Sequence, residues 1–413
     1  MTGGCARVAA RSVLLRAPVD DEHADVSKGT FTRFGQFVIL ILIQIGGLGI
    51  MTLSAATVMF AGRNLDFKSR ALMQTLLDEQ SALALRRTIR DIFVMTFVIE
   101  GVGALILTLR FLSLDIPFGE AVWIGIFHAV SAFCNAGFSL FGDNLASFRG
   151  DVLINMVHAV LIIAGGIGFA VITALAAKRT WAYGMGAAWR RLSLQVRIVV
   201  GVTLMLIVAG TILNFFLEYD HSLKGLSVGE KLLASFFQSV SFRTAGFSTV
   251  DLGTMSRAML MVACILMFIG ASPGSTGGGI KTTTLAVLLM SIRSSLLGRR
   301  DVEMGKHTVN PQVVTRSISI VATAFAVLLL GFLLLLVTQP HIGFESLLFE
   351  TVSALGTVGL TVGATGELDT VGKLIIVVLM FLGRLGPLTV ALAVGERRQV
   401  SGFRYSEERV IVG

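Results

Sequence analysis

Three short stretches of the sequence carry residue types suited to holding a bare cation. They read SAFCNAGFS, VSFRTAGFS and SALGTVGLT, and each aligns on one glycine: Gly137, Gly246 or Gly359. Ahead of that glycine stand a small polar residue (Asn135, Thr244 or Thr357) and a small apolar one (Ala136, Ala245 or Val358); a bulky apolar residue (Phe138, Phe247 or Leu360) follows it. A potassium ion stripped of its water needs several oxygens around it, and backbone carbonyls supply them where a chain runs extended along a pore. Glycine tolerates the backbone angles that turn successive carbonyls to one side. Hydroxyl or amide groups at Asn135, Thr244 and Thr357 would add hydrogen bonds that hold the strand. The chemistry is coordination of an ion, with no bond made or broken. No His, Cys, Asp or Glu positions show the clustering that a nucleophile, base or metal-ligand set requires, so no catalytic residue is assigned and an enzyme is not expected.

Something must carry these segments into place. Each follows a short, moderately apolar run: GEAVWIGIFHAV, GEKLLASFFQSV or FESLLFETV. Such runs of roughly 9–12 residues fall short of the about 20 that cross a bilayer as a helix, and they have the length of a re-entrant half-helix. Non-helical backbone at membrane depth survives only where protein or a water-filled cavity surrounds it. A half-helix entering from outside aims its carboxyl end, worth about half a negative charge, at the cavity centre and favours a cation there.

Composition places the whole chain in a membrane. Of 413 residues, 54% are hydrophobic and 15% charged, with a mean hydropathy of +0.81; soluble domains run at roughly 45–50% and roughly 25%. Apolar runs of spanning length recur, among them DIFVMTFVIEGVGALILTLRF, RIVVGVTLMLIVAGTILNFF and SISIVATAFAVLLLGFLLLLV. The net charge of +8 comes from basic residues spread over short loops, which argues against nucleic acid as a partner. Lys178, Arg179, Arg190, Arg191 and Arg197 share one connection, and Arg397, Arg398, Arg404 and Arg409 lie in the tail. By the positive-inside rule these ends are cytoplasmic, the carboxyl terminus included. The intervening loops carry acidic residues such as Asp115, Glu120, Glu218 and Glu345. Cys134 and Cys264 read as buried structural residues, and His128 and His158 as packing residues rather than proton carriers. Glu100 lies within a helical pattern without an evident partner.

A second set of glycines marks the helices that follow the short runs: Gly46 and Gly47, Gly165 and Gly166, Gly270, and Gly383. In the third of these places the break expands into ASPGSTGGGIKTTT. Its glycines and lysine look like a phosphate loop, but Ile280 separates Gly279 from Lys281 where that motif needs them adjacent. The loop also interrupts a spanning segment. It therefore reads as the expanded glycine break of the third unit's inner helix, over Gly270, Ser272, Pro273, Gly274, Ser275, Thr276, Gly277, Gly278, Gly279 and Lys281. Arg384, inside the last spanning helix, is costly there unless it faces a cavity or partner.

These motifs together resemble the Trk/Ktr/HKT superfamily of potassium transporters, and within it the KtrB-type pore subunit. NAGF, RTAGF, GTVGL, SPGSTGGGIKTTT, GRLGPLT and ERVIVG carry the resemblance, over about residues 36 to 413. It implies an all-α integral membrane protein with four pseudo-repeated helix–pore-loop–helix units around a central pore. It further implies filter roles for the three glycine segments, and a gate formed by the loop with Arg384. The transported ion would be potassium, with sodium as an influencing ion and no covalent cofactor. The partners would be a second copy in a homodimer, a cytoplasmic KtrA- or TrkA-type nucleotide-binding ring, and the bilayer of a bacterial plasma membrane.

The expected organisation has an atypical segment 1–35 in place of a first outer helix and filter, an inner helix of unit 1 at 36–62, and a cytoplasmic linker at 63–90. Unit 2 follows at 91–180, unit 3 at 195–295 with the gate loop at 270–284, unit 4 at 313–396, and a cytoplasmic tail at 397–413. The expected first filter, a TVTGL-like segment, has no counterpart in the first unit, so that unit reads as incomplete and residues 1–413 alone are expected to give poor or unselective uptake. A secondary transporter with broken helices for another monovalent cation is the competing reading.

Overall fold

The computed structural model describes residues 31–48, 82–177, 189–299, 301–304 and 307–385. The expected first-filter region before residue 31, the second part (49–62) of the unit 1 inner helix, most of the linker (63–81), the end of unit 4 (386–396) and the tail lie outside the described residues.

The described residues form twelve helices of eight residues or more. They are α1 (Arg33–Leu48), α2 (Ala82–Leu112), α3 (Phe118–Phe133), α4 (Val152–Ile167), α5 (Phe169–Ala176) and α6 (Leu194–Leu217), then α7 (Val228–Phe242), α8 (Arg257–Phe268), α9 (Thr282–Leu296), α10 (Pro311–Thr338), α11 (Phe344–Leu355) and α12 (Thr370–Leu385). A two-stranded antiparallel ladder pairs Glu303 with Thr308 and Met304 with His307. Among the described residues three helices are long and apolar enough to cross a membrane: Thr88–Leu112 within α2, then α6 and α10. At 1.5 Å per residue the 28 residues of α10 extend about 42 Å, beyond the about 30 Å of a hydrocarbon core. These helices keep large apolar side chains exposed, as at Val98, Val102 and Leu105 on α2 and Leu330, Leu333 and Val337 on α10. In water that surface would be a liability; against lipid it is the expected face.

The order long helix, short helix, glycine segment, second helix occurs three times: α2–α3–α4, α6–α7–α8 and α10–α11–α12. The short helices α3 and α7 have 16 and 15 residues, longer than the apolar runs indicated, because polar residues in their last turns still follow the helix. Only α11, with 12 residues, keeps the expected length. Helix α1 packs on α3.

One device closes each unit. The residue capping the second helix is bonded to the end of that unit's first helix. Asp151 caps α4 by accepting from Ile154 N at 3.0 Å and pairs with Arg110 of α2 at 2.8 Å. Ser256 caps α8, and its N–H and hydroxyl donate to Glu218, just past α6, at 3.0 and 2.6 Å. Asp369 accepts from Gly372 N at 2.7 Å and from Gln339 Nε2, just past α10, at 2.5 Å. The Gly372 N–H holds the Asp369 carboxyl below its ordinary range. Capping satisfies otherwise orphaned helix N–H groups, and here the same side chains fix the separation of two helices.

The recurrent glycines of the second helices serve close approach. A Cβ on Gly165 would collide with Phe133 O at the end of α3, one on Gly383 with Leu355 O at the end of α11, and one on Gly47 with the Cys134 thiol. The second helices thus lie directly on the carboxyl ends of the short helices, where larger residues would hold them off. Gly165→Ala is expected to destabilise the folded protein by about 3 kcal/mol, the upper part of the overpacking range. The check is the thermal midpoint of the detergent-purified variant, and a midpoint equal to that of the parent would show that the two helices can separate without cost.

Candidate functional site

The three glycine segments follow the carboxyl ends of α3, α7 and α11 and share one backbone signature. Gly137, Gly246 and Gly359 have φ of 67°, 80° and 83°, and Asn135, Thr244 and Thr357 before them have φ of 50°, 71° and 55°. Ala136, Ala245 and Val358, in between, are absent from the left-handed region. Left-handed backbone is uncommon for any residue with a side chain and a genuine outlier for β-branched threonine; each instance costs on the order of 1–3 kcal/mol. The surroundings impose it: Thr244, Ala136, Ala245 and Val358 are fully buried, and Phe138, Phe247 and Leu360 nearly so.

The expected strand-holding bonds from the polar residues take a different form. The Asn135 carboxamide, oriented with its nitrogen toward carbonyls, donates to Ile162 O and Ala132 O at 3.2 and 3.1 Å. Thr244 Oγ1 has no hydrogen-bond partner among the described residues. The tether is instead a serine in the last turns of each short helix. Ser131 Oγ donates to Phe138 O at 2.8 Å and accepts from Phe138 N at 2.9 Å. Ser241 Oγ donates to Phe247 O. Ser353 Oγ donates to Leu360 O at 2.6 Å and accepts from Gly359 N at 3.1 Å. Sequence reasoning passed over these serines, although FHAVS, FQSVS and FETVS align as well as the glycines do.

The glycine loop lies directly against this assembly. Helix α8 stops at Phe268 and α9 starts at Thr282, so the expected span 270–284 shortens at its far end, where Thr282 to Thr284 already belong to α9. A neck closes the loop: Gly270 N donates to Ile280 O at 3.0 Å, Ile280 N to Phe268 O at 3.1 Å and Ala271 N to Gly278 O at 3.1 Å. A Cβ on Gly277 would collide with Thr244 Oγ1 and meet the Asn135 side chain, and one on Gly278 would collide with Thr357 Oγ1. Two adjacent glycines therefore touch all three left-handed polar residues. The hydroxyl of Ser272 meets that of Thr282 at 2.8 Å, and Ser275 Oγ donates to Ser272 O at 2.6 Å.

The loop's tip docks on a second break. Helices α4 and α5 are bent by 107° at Gly168, whose φ is 91°. Ser272 N and Thr276 N donate to Gly166 O and Gly165 O at 2.9 and 3.1 Å, and Phe169 N donates to Gly274 O at 3.1 Å. A side chain at Gly168 would strike Pro273 O. Thr276 Oγ1 reaches Phe133 O at 3.1 Å. The broken helices leave backbone groups that the loop satisfies. Two cations grip the loop's carbonyls: Lys281 Nζ donates to Gly277 O at 2.8 Å. Arg384 donates to Thr276 O at 2.8 Å and to Gly46 O of α1 at 2.7 Å. Glu100, which had no evident partner in the sequence, accepts from Gln44 Nε2 of α1 at 3.2 and 3.1 Å. Among the described residues no group of His, Cys, Asp or Glu could hold a metal ion.

Almost wholly helical over its described residues, with three copies of a long-helix, short-helix, second-helix unit and apolar helices long enough to span a bilayer, the fold is that of a multi-pass membrane protein. The chain belongs to the TrkH family, described as cation transport proteins, whose profile matches residues 22–399. It is 39% identical to Ktr system potassium uptake protein B of Bacillus subtilis (strain 168), over 94% of this chain and 86% of that one. Identity is 38% to the protein of the same name in Vibrio alginolyticus, over 93% and 83%. It is 35% to potassium/sodium uptake protein NtpJ of Enterococcus hirae, over 92% and 83%. The crystal structure of the potassium transporter TrkH from Vibrio parahaemolyticus shares the fold, with a TM-score of 0.67 at 19% identity, covering 87% of this chain and 72% of that one.

Proposed function

We propose that the protein takes up potassium across the bacterial plasma membrane through a channel-like path. In this reading Asn135 to Phe138, Thr244 to Phe247 and Thr357 to Leu360 line the selective part of that path. The observation that carries it is the left-handed polar residue two places before a left-handed glycine, in all three units. Alternating hand along a short segment turns successive carbonyls to one side, which is what a dehydrated cation requires. The relatives' names, potassium uptake and potassium/sodium uptake proteins, support potassium as the ion and leave room for a sodium influence.

The loop from Gly270 to Lys281 acts as the gate. Its place against Asn135, Thr244 and Thr357 supports a barrier at the inner end of the path, and Lys281 and Arg384 raise the electrostatic cost for a cation there. The basic loops and the tail face the cytoplasm, where a nucleotide-binding ring of the KtrA or TrkA type would act, and the working form is a homodimer. The test is potassium and sodium influx in a potassium-uptake-deficient strain, with the full chain expressed alone and with such a ring. Wherever expression restores growth on limiting potassium, influx that prefers potassium over sodium is expected. Influx that follows sodium or proton gradients with no potassium preference would replace this reading with a coupled secondary transporter.

A further inference from the structure

One helical turn before each tethering serine, the short helices carry another aligned position: His128 in FHAVS, Gln238 in FQSVS and Glu350 in FETVS. All three side chains are polar and buried, His128 and Gln238 completely and Glu350 to 5% exposure. Directly after Phe138, Phe247 and Leu360 comes a hydroxyl residue, Ser139, Ser248 or Thr361. Each hydroxyl accepts from the backbone N–H two residues on: Phe141 N at 3.0 Å, Val250 N at 3.4 Å and Gly363 N at 3.1 Å.

In every unit these two positions meet. His128 Nε2 lies 3.1 Å from Ser139 Oγ. Ser139 Oγ donates its one proton to Asn144 O at 2.8 Å, and Leu140 N donates to His128 Nε2 at 3.4 Å while Nδ1–H donates to Ile124 O at 3.0 Å, so the imidazole takes its bond from the backbone N–H next to Ser139. Ser248 Oγ donates its proton to Val250 O, and the Gln238 carboxamide lies 3.5 Å from that hydroxyl. In the fourth unit the contact is relayed: Thr365 Oγ1 donates to Glu350 Oε1 and lies 3.0 Å from Thr361 Oγ1. Imidazole, carboxamide and carboxylate differ in charge and shape. What they share is a buried polar head set against the stretch that leaves the glycine segment. A position needed only for packing would hold an apolar side chain, since burying a polar one is costly without a partner.

We propose that His128, Gln238 and Glu350 are positioning residues for ion discrimination. They fix the outer ends of the three glycine segments at Ser139–Leu140, Ser248 and Thr361, and so hold the width of the ion path. The proposal rests on the filter reading above. Where the tethering serines hold each segment to its own helix at Phe138, Phe247 and Leu360, this second set anchors the chain beyond it. An outer rim anchored on both sides keeps its spacing when a smaller ion enters.

The experiment measures the ratio of potassium to sodium influx in reconstituted full-length protein. His128→Leu, Gln238→Leu and Glu350→Leu should each lower that ratio about tenfold, the effect of losing one buried hydrogen bond at the rim. His128→Gln and Glu350→Gln, which keep an acceptor, should hold it within about twofold. Leucine variants with the parental ratio would overturn the proposal, as would glutamine variants that fail as fully as leucine. If a leucine variant is lost from the membrane fraction, Ser139→Ala, Ser248→Ala and Thr361→Val make the same test from the partner side, with the same outcomes. Gly246→Ser run in parallel separates the two readings. A changed ratio there with unchanged clamp variants removes only the clamp, whereas no change in either removes the filter.

Discussion

Gly246→Ser is expected to lower the preference for potassium over sodium by at least about tenfold while leaving the protein in the membrane. Gly246 has φ of 80°, and Thr244 just before it is already left-handed at 71°. Adding a side chain puts a second left-handed non-glycine residue within one short segment, and each costs on the order of 1–2 kcal/mol. The segment cannot relax outward, because Ala245 and Phe247 are fully buried and Ser241 Oγ holds Phe247 O. It can relax only toward the ion path, where a small displacement of carbonyls changes the balance between dehydration and coordination. Gly137→Ser and Gly359→Ser should act in the same direction. The measurement is competitive influx of the two ions, and a ratio within twofold of the parent would remove Gly246 from the proposed path.

Loss of the Arg384 guanidinium should have the opposite character, with more flux and unchanged ion preference. Arg384 ties Thr276 O of the loop to Gly46 O of α1, so one side chain of unit 4 holds the loop of unit 3 to unit 1. Hydrogen bonds to a charged group contribute about 1.5–3 kcal/mol. If all of that favours the closed loop, Arg384→Ala raises the open-to-closed ratio by about tenfold to about a hundredfold. Removing residues 274–279 should go further, because it also deletes the contacts of Gly274 with Phe169 and of Thr276 with Gly165 and Phe133. Arg384→Gln keeps a donor without the charge and divides the effect between tether and electrostatics. Influx is read in vesicles at matched protein level, and a folded Arg384→Ala that conducts no faster would refute the barrier role.

Much of this site was legible in the sequence because its signals are local and repeated. Glycine at Gly137, Gly246 and Gly359 announces unusual backbone, and the short runs before them announce helices too brief to span. The interruption of an apolar segment by SPGSTGGGIKTTT gave the loop. What stayed hidden depends on tertiary override. Nothing in the preferences of threonine points to left-handed backbone at Thr244 and Thr357; burial and the short-helix geometry impose it. The tethering serines were visible in aligned text but indistinguishable from ordinary helix serines without knowing where the chain doubles back. The bend at Gly168 was concealed because IIAGGIGFAVITALA keeps its apolar character through the break, and composition carries no record of direction. The ties of Asp151, Ser256 and Asp369 to the neighbouring helix ends join residues distant in the sequence, beyond the reach of any local pattern.

The loop's contact with all three units also bears on how such a molecule can arise. Gly277 and Gly278 already fill the space beside Asn135, Thr244 and Thr357, so a second loop of this kind has no room on the same axis. A ring of four identical subunits would have to carry four loops or none. Fusing the repeats into one gene lifts that restriction, because a single copy can drift, lengthen its helix break and plug the axis while its siblings keep an unbroken or merely bent helix. With the loop as the proposed gate, such an asymmetric arrangement is open to a tandem chain and closed to a homotetramer.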